Sequence, residues 1–352
     1  MRSKAFFING GAGRVICSIP ALEKYQEESG DSDFIIVCEG GMDMYKGHPE
    51  LHSRCYDVWH KDLFEEKIKE RDVVSPEPYR VWEYYNQKCT LSQAFDILIN
   101  DKGLRELPAP KLYLNIEEEI AGKTVVQEVR EVTKKEKTIV IQPFGRGIQN
   151  AGNYIFDPSS RSIEYVNLVK FIKKLGKDYS IILMSEMQFN LDPEGIEFPV
   201  AQPKDIGLKQ WAGIIAAADY FVGCDSVGQH IAYAFDKPAT VITGSTFAEN
   251  ISYPDNEKFD IQDMGEGKRK YDPIRIMPDE YVSRNNDKIM LMNEAIIDVI
   301  TKSINDNFKK WVKKEAKVEA VETKSNKQPF NILENPSKKQ DLKLVPGLGN
   351  VN

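Results

Sequence analysis

Cysteine and histidine are scarce in this chain of 352 residues, and its 47 Lys and Arg are outnumbered by 54 Asp and Glu. The five cysteines, Cys17, Cys38, Cys55, Cys89 and Cys224, are odd in number and form no CxxC pair. That argues against a disulfide framework and for a reducing compartment, so a cytoplasmic location is expected. The four histidines, His48, His52, His60 and His230, do not combine with the cysteines at zinc-ligand spacing, and no metal site is expected. "HPELH" puts His48 and His52 four apart; with no further ligands in sight they read as a surface pair beside Pro49. No apolar run reaches the length of a membrane span. The opening "MRSKAFFINGG" has too short an apolar stretch for a signal peptide and reads as a first strand. A net charge of −7 disfavours nonspecific nucleic-acid binding by the whole surface, while leaving room for a local basic groove.

Apolar strand-like runs that end in glycine are plentiful. "KAFFING", a glycine turn, the helix-like "SIPALEKYQEE" and "DFIIVCEGG" follow in the order of a βαβ unit. "YRVWEYYNQKCTLSQAFDIL" is aromatic and helix-like, and its rings are expected to pack a core, with sugar stacking as the lesser alternative. The charged segment 117–137 leads into a second series. There "TIVIQPFGRG", "SIILMSE", "DYFVGC" and "ATVITGS" alternate with the helical patterns "SIEYVNLVKFIKKLG", "LKQWAGIIAAA" and "GQHIAYAF". Continuous apolar strands alternating with helices indicate parallel sheets covered on both faces. The fold class expected is α/β, with two Rossmann-like units at 1–134 and 135–314. "KIMLMNEAIIDVITKSINDNFKKWVKK" closes the second unit as a helix, and 315–352 is expected to be a flexible tail because it has no apolar face to bury.

Ligands of open α/β sheets bind beyond the carboxyl ends of the strands. Those ends carry Arg146, Glu186, Asp225, Ser226, Val227, Gly228, His230 and Thr243, the last followed by Gly244, Ser245 and Thr246. Backbone amides at a helix start, small residues and an arginine suit phosphate, and a carboxylate apart from them suits a ribose hydroxyl. Taken singly, Asp225 and Ser226 also suit a helix cap, His230 a core position, Asp43 a turn and Arg14 a solvated turn. The convergence of several strand ends on one chemistry favours ligand contact.

The stretch "AAADYFVGCDSVGQHIAYAFDKPATVITGST" resembles the donor domain of the GT-B glycosyltransferases of family 9, the ADP-heptose:lipopolysaccharide heptosyltransferases. Asp225, Ser226 and His230 keep the family spacing, Gly228 stands one place late with Val227 in the usual glycine position, and "DKP" at 236–238 also matches. The strand order is similar over roughly residues 138–255. The resemblance implies a two-domain GT-B fold with a cleft. It also implies inversion by direct displacement, without an essential metal or cofactor, and an ADP- or UDP-linked sugar as donor substrate. Ser226, Val227 and Gly228 would offer amides to the diphosphate, His230 would help to neutralise leaving-group charge or position the phosphate, Glu186 would contact the ribose or base, and Arg146 or Arg161 would replace the family's phosphate lysine. "GGAGRVICSIPALEKY" is similar to the family's first turn and helix, with Gly11, Gly13 and Arg14 as a phosphate or acceptor loop. Arg14 occupies the position of the family's catalytic Asp and cannot accept a proton there. Asp43, or next Glu39, is expected to serve as base. The acceptor would be lipopolysaccharide core or another glycan. One alternative is a hydroxymethylated DNA base, because similar proteins are carried by tailed bacteriophages. Another is a noncatalytic binder of nucleotide or glycan. A monomer or weak oligomer is expected.

Overall fold

The computed structural model describes residues 2–145, 147–151, 154–269 and 288–312. Arg146 and the tail from residue 315 onwards therefore lie outside the described residues.

A four-stranded parallel sheet comes first, built from β1 (Lys4–Ile8), β2 (Ile35–Cys38), β3 (Cys55–Asp57) and β4 (Asp72–Val74) in the order β3-β2-β1-β4. "IIVC" is buried along its whole length, as a strand covered on both faces must be. One cover is α1 (Ala12–Glu28), which buries Val15, Ile16, Ile19 and Leu22. Leu63 and Ile68 pack on the other face against Ala5, Ile35 and Val37. The aromatic stretch forms α2 (Trp82–Tyr85) and α3 (Leu91–Asn100), the second of which lies along α1. Phe95 and Tyr84 are core residues, but Trp82 is 61% exposed, so only part of the stretch packs inward. His48 is no surface residue: it is buried, its Nδ1 accepts from the amides of Glu50 and Leu51, and its Nε2 faces Glu23 on α1 at 3.3 Å.

After α4 (Ile116–Thr133) the chain enters a six-stranded parallel sheet. Its elements are β5 (Thr138–Gln142), a hairpin of β6 (Gln149–Ala151) and β7 (Tyr154–Phe156), α5 (Tyr165–Leu175), β8 (Ser180–Leu183), β9 (Val200–Ala201), α6 (Leu208–Ala217), β10 (Tyr220–Cys224), α7 (Val227–Ala234), β11 (Ala239–Thr243), α8 (Ala248–Ile251), β12 (Phe259–Asp263) and α9 (Glu294–Trp311). The order is β12-β11-β10-β5-β8-β9, and the hairpin stands apart from it as a separate ladder. α9 starts at Asn293, whose side chain accepts from the Ile296 amide, and buries the stripe Ile297, Ile300, Ile304 and Phe308. No helix among the described residues is long and apolar enough to cross a membrane.

Each sheet reverses its strand order once, between β1 and β4 in the first and between β5 and β10 in the second. These reversals are the switch points at which a crevice opens beyond the strand ends. α1 contacts α7, and one apolar cluster runs from Phe6 and Ile16 through Ile231 to Val140 and Val241. The two crevices are thereby brought face to face.

α4 falls in the range expected for the first unit, yet its packing is with α6 and β8 of the second sheet. The crossing is backbone on backbone: a Cβ on Gly122 would lie 2.2 Å from the Gly213 carbonyl oxygen, and one on Gly213 would lie 2.4 Å from that of Glu118. A mid-helix Gly→Ala change ordinarily gains about 0.5–1 kcal/mol. Here the sign should reverse, with Gly213→Ala losing about 1–3 kcal/mol through overpacking. The readout is a lower urea midpoint at unchanged m-value. A gain in midpoint would mean that the two helices do not touch through their backbones.

Candidate active site

The second crevice is organised by Gln142, the last residue of β5. Its Oε1 accepts from the Gly228 amide at 2.8 Å, and its Nε2 donates to Ser226 Oγ at 3.1 Å. One amide side chain thus fixes where α7 begins. Ser226 is the N-cap residue in extended backbone, but its hydroxyl makes no capping bond. Gly228 is packed against Gln142 and Phe221, where an added Cβ would meet the Gln142 oxygen at 2.4 Å. This corrects the expectation that the Gly228 amide faces a ligand, because Gln142 already takes it. Val227 lies at the mouth, with its Cα 3.9 Å from a Cβ built on Gly13.

Arg161 crosses to the same spot from the turn after the hairpin. Its Nη2 donates to the Asp225 carbonyl oxygen at 3.0 Å, and its Nε lies 3.5 Å from the Asp225 carboxylate. The nearby Asp225 charge pushes the guanidinium pKa up against the opposing effect of burial. Asp157 holds the turn, accepting from the amides and hydroxyls of Ser159 and Ser162. Ser245 joins it by donating to the carbonyl oxygens of Ser159 and Ser160. Thr243, in contrast, is fully buried and donates to Asp263 on β12, so it serves the sheet rather than the crevice. Glu186 is exposed just beyond the end of β8.

His230 lies on α7 against the first unit. Its Nδ1 is 2.7 Å from the Tyr253 hydroxyl and 3.5 Å from Cys17 Sγ, and a Cβ on Gly13 would come 3.1 Å from its Cδ2. Burial pushes the imidazole down to about 4 and the Cys17 thiol up to about 12. At neutral pH His230 is therefore uncharged. It joins α1 to α7, and it does not carry the positive charge expected for offsetting a leaving group.

The first crevice is organised by Arg14, which is only 9% exposed and so is not a solvated turn residue. Its Nη1 donates to Glu77 at 3.2 Å and its Nη2 to the Pro76 carbonyl oxygen at 3.5 Å. The guanidinium lies over the rings of Tyr79 and Phe95, 4.9 and 5.6 Å from their centres. Gly10, at φ +105°, is the turn position that requires glycine, and an added Cβ there would strike Arg14 Cδ at 2.7 Å. Gly11 precedes α1 as its N-cap. Asp43 stands on the other side of β1, past the end of β2; its side chain is 51% exposed and pairs with Lys46 at 2.5 Å. Glu39 is exposed at the end of β2.

Arg14 Nε, Arg161 Nε, Gln229 Oε1 and Thr246 Oγ1 are buried without a hydrogen-bond partner among the described residues. A buried polar atom without a hydrogen bond costs about 1–3 kcal/mol; Asn167 and Thr301, away from the crevices, also bury such atoms. Among the described residues no group of three or more His, Cys, Asp or Glu side chains could hold a metal ion. Gln142, Glu77, Tyr79 and Tyr253 are the site residues that sequence reasoning missed. Only Gln142, a polar residue closing the apolar "TIVIQ", offered a local signal.

Two solved structures are similar over 87% of this chain. The glycosyl transferase family 9 protein of Veillonella parvula superposes at TM-score 0.59 with 11% identity and 97% of its own chain covered. The ADP-heptose LPS heptosyltransferase II of E. coli does so at TM-score 0.54 with 11% identity and 98% covered. This is the GT-B fold. Its form is heptosyltransferase-like, as the donor-domain motif implied. No family model and no curated protein matches the chain in sequence. At this identity the likeness is one of fold.

The buried, neutral His230 makes stability depend on pH. Its folded pKa, near 4, is below the ordinary value of 6.5. Between those values the unfolded chain binds a proton that the folded chain refuses, so stability falls as pH drops from 6.5 towards 4. The loss attributable to this group is of the order of 3 kcal/mol. Urea midpoints measured from pH 4 to 7 should fall less steeply in His230→Gln than in the natural chain. Parallel slopes would mean that His230 titrates normally.

Proposed function

We propose that this chain moves a sugar from a nucleoside diphosphate donor to a hydroxyl acceptor held between the two crevices. The observation that carries this reading is the pair Arg14 and Arg161, one from each unit: Arg161 donates to the Asp225 carbonyl oxygen just before α7, and Arg14 stands one residue from Gly13, which packs on His230 of α7. Guanidinium groups and free helix amides suit a diphosphate leaving group, and preorganised donors of this kind supply a large part of catalysis in group transfer. The GT-B fold gives independent support.

In this reading the second unit takes the donor. Asp225 orients Arg161, and Ser226 and Val227 present the helix start. Glu186, past β8, is placed to meet the ribose or base. Gly11, Gly13 and Arg14 form the acceptor-side wall. ADP-heptose is the first donor to test, since one structural neighbour is named for it; a UDP-sugar is the next. A glycan acceptor is favoured over DNA because, among the described residues, the two cleft arginines are each paired with a carboxylate, Arg14 with Glu77 and Arg161 with Asp225. A noncatalytic role is disfavoured because Glu77 supplies a carboxylate inside the crevice.

ADP at a hundred times its Kd should stabilise the fold by about 2.7 kcal/mol and raise the melting temperature. Arg161→Ala should weaken ADP binding by about 1.5–3 kcal/mol, roughly ten- to a hundredfold in Kd. Titration calorimetry of the natural chain and the variant measures both. Binding of equal strength in the two proteins would put the nucleotide elsewhere.

A further inference from the structure

Arg14 stands where the family resemblance expects an acidic base, and the structure brings a carboxylate to it from another loop. We propose that Glu77 is the group that takes the proton of the acceptor hydroxyl. The inference rests on the sugar-transfer reading and assigns the one chemical role that reading leaves unfilled.

The topology carries the argument. Glu77 follows β4 and Arg14 follows β1, so the two residues flank the reversal in strand order of the first sheet. Asp43 and Glu39 follow β2, on the side of β1 away from that reversal. Crevices for ligands open at reversals, not beside consecutive strands. The crevice at Glu77 lies towards the donor unit: Glu77 accepts from Arg14, which is one residue from Gly13, and a Cβ on Gly13 would lie 3.1 Å from the His230 ring and 3.9 Å from Val227 Cα.

The local geometry suits a base. Glu77 Oε1 accepts from Arg14 Nη1 at 3.2 Å and from the Tyr79 amide at 3.5 Å. No hydrogen bond to Oε2 is present among the described residues, and the side chain is 30% exposed. One oxygen thus anchors the carboxylate while the other is available to a hydroxyl. Asp43 is likewise held by a cation through one oxygen, Lys46 at 2.5 Å, but in a more exposed turn on the far side of β1. In the step proposed, the acceptor oxygen forms a bond to the anomeric carbon. The bond from that carbon to the diphosphate oxygen breaks, and its electron pair leaves with the nucleoside diphosphate. The hydroxyl proton passes to Glu77. Arg14 acts as a positioning residue for the carboxylate.

The test uses the full chain with two donor and acceptor pairs: ADP-heptose with deacylated lipopolysaccharide core, and UDP-glucose with hydroxymethylated DNA. Nucleoside diphosphate release is followed, with ADP and UDP affinities measured by calorimetry. Glu77→Gln retains an amide oxygen for Arg14 and should fold. It is expected to lower kcat by about 10²–10⁴-fold, to leave nucleotide affinity unchanged and to remove the acidic limb of the kcat/KM profile. Glu77→Asp should recover part of the rate. Undiminished kcat in Glu77→Gln, a parallel loss of nucleotide affinity, or a larger fall in kcat for Asp43→Asn would each overturn the assignment. Nucleotide binding without turnover in either pair would also overturn it, since a chain that transfers nothing has no base, yet would leave the donor site standing. Absence of nucleotide binding in the natural chain would remove the sugar-transfer reading and the base together.

Discussion

The first turn of α1 packs closely on α7 where residue 13 is glycine. A Cβ there would lie 3.1 Å from the His230 ring, so that the ring would have to shift by a few tenths of an ångström, and in ordinary contact with Val227 Cα at 3.9 Å. Through this contact the reversal in the first sheet is set against the reversal in the second, and two shallow crevices become one cleft. His230, Cys17 and Tyr253 fill the space behind it. Burial keeps that cluster uncharged, with the imidazole pushed down and the thiol pushed up. The apolar seam can therefore be continuous between the units, and the charged groups collect at its mouth.

At the mouth, charge is arranged in matched pairs. Arg14 with Glu77 belongs to the wall of the first sheet, and Arg161 with Asp225 to that of the second. Arg14 also keeps a buried Nε without a hydrogen-bond partner among the described residues. Such an arrangement can meet an anionic leaving group without presenting a broad positive surface to nucleic acid. It also offers a substitute for an acid lost from the start of α1, because a carboxylate delivered by the β4 loop reaches the same corner.

Much of the architecture was legible because long apolar strands announce themselves. "IIVC", "TIVIQ", "SIIL", "YFVGC" and "ATVIT" each form a strand. β3, β4 and β9 are only two or three residues long and lie in polar surroundings, so periodicity could not find them. Missing β4 hid the first reversal, and with it Glu77 and Tyr79. The start of α7 was legible from Asp225, Ser226 and His230, but the use of its amides was not. Gly228 is bonded to a side chain 86 residues away in the sequence, and Thr243 is claimed by Asp263 on the adjoining strand. Pairings of that kind depend on sheet order, which local sequence does not encode.

The central claim is that the functional site lies between the two reversals and uses both walls. Amide hydrogen exchange with and without saturating ADP measures this most directly. Protection should appear together in residues 225–231 and in residues 10–17, because a nucleotide bound between the walls must quiet both. Protection confined to one wall, or located away from both, would contradict the account.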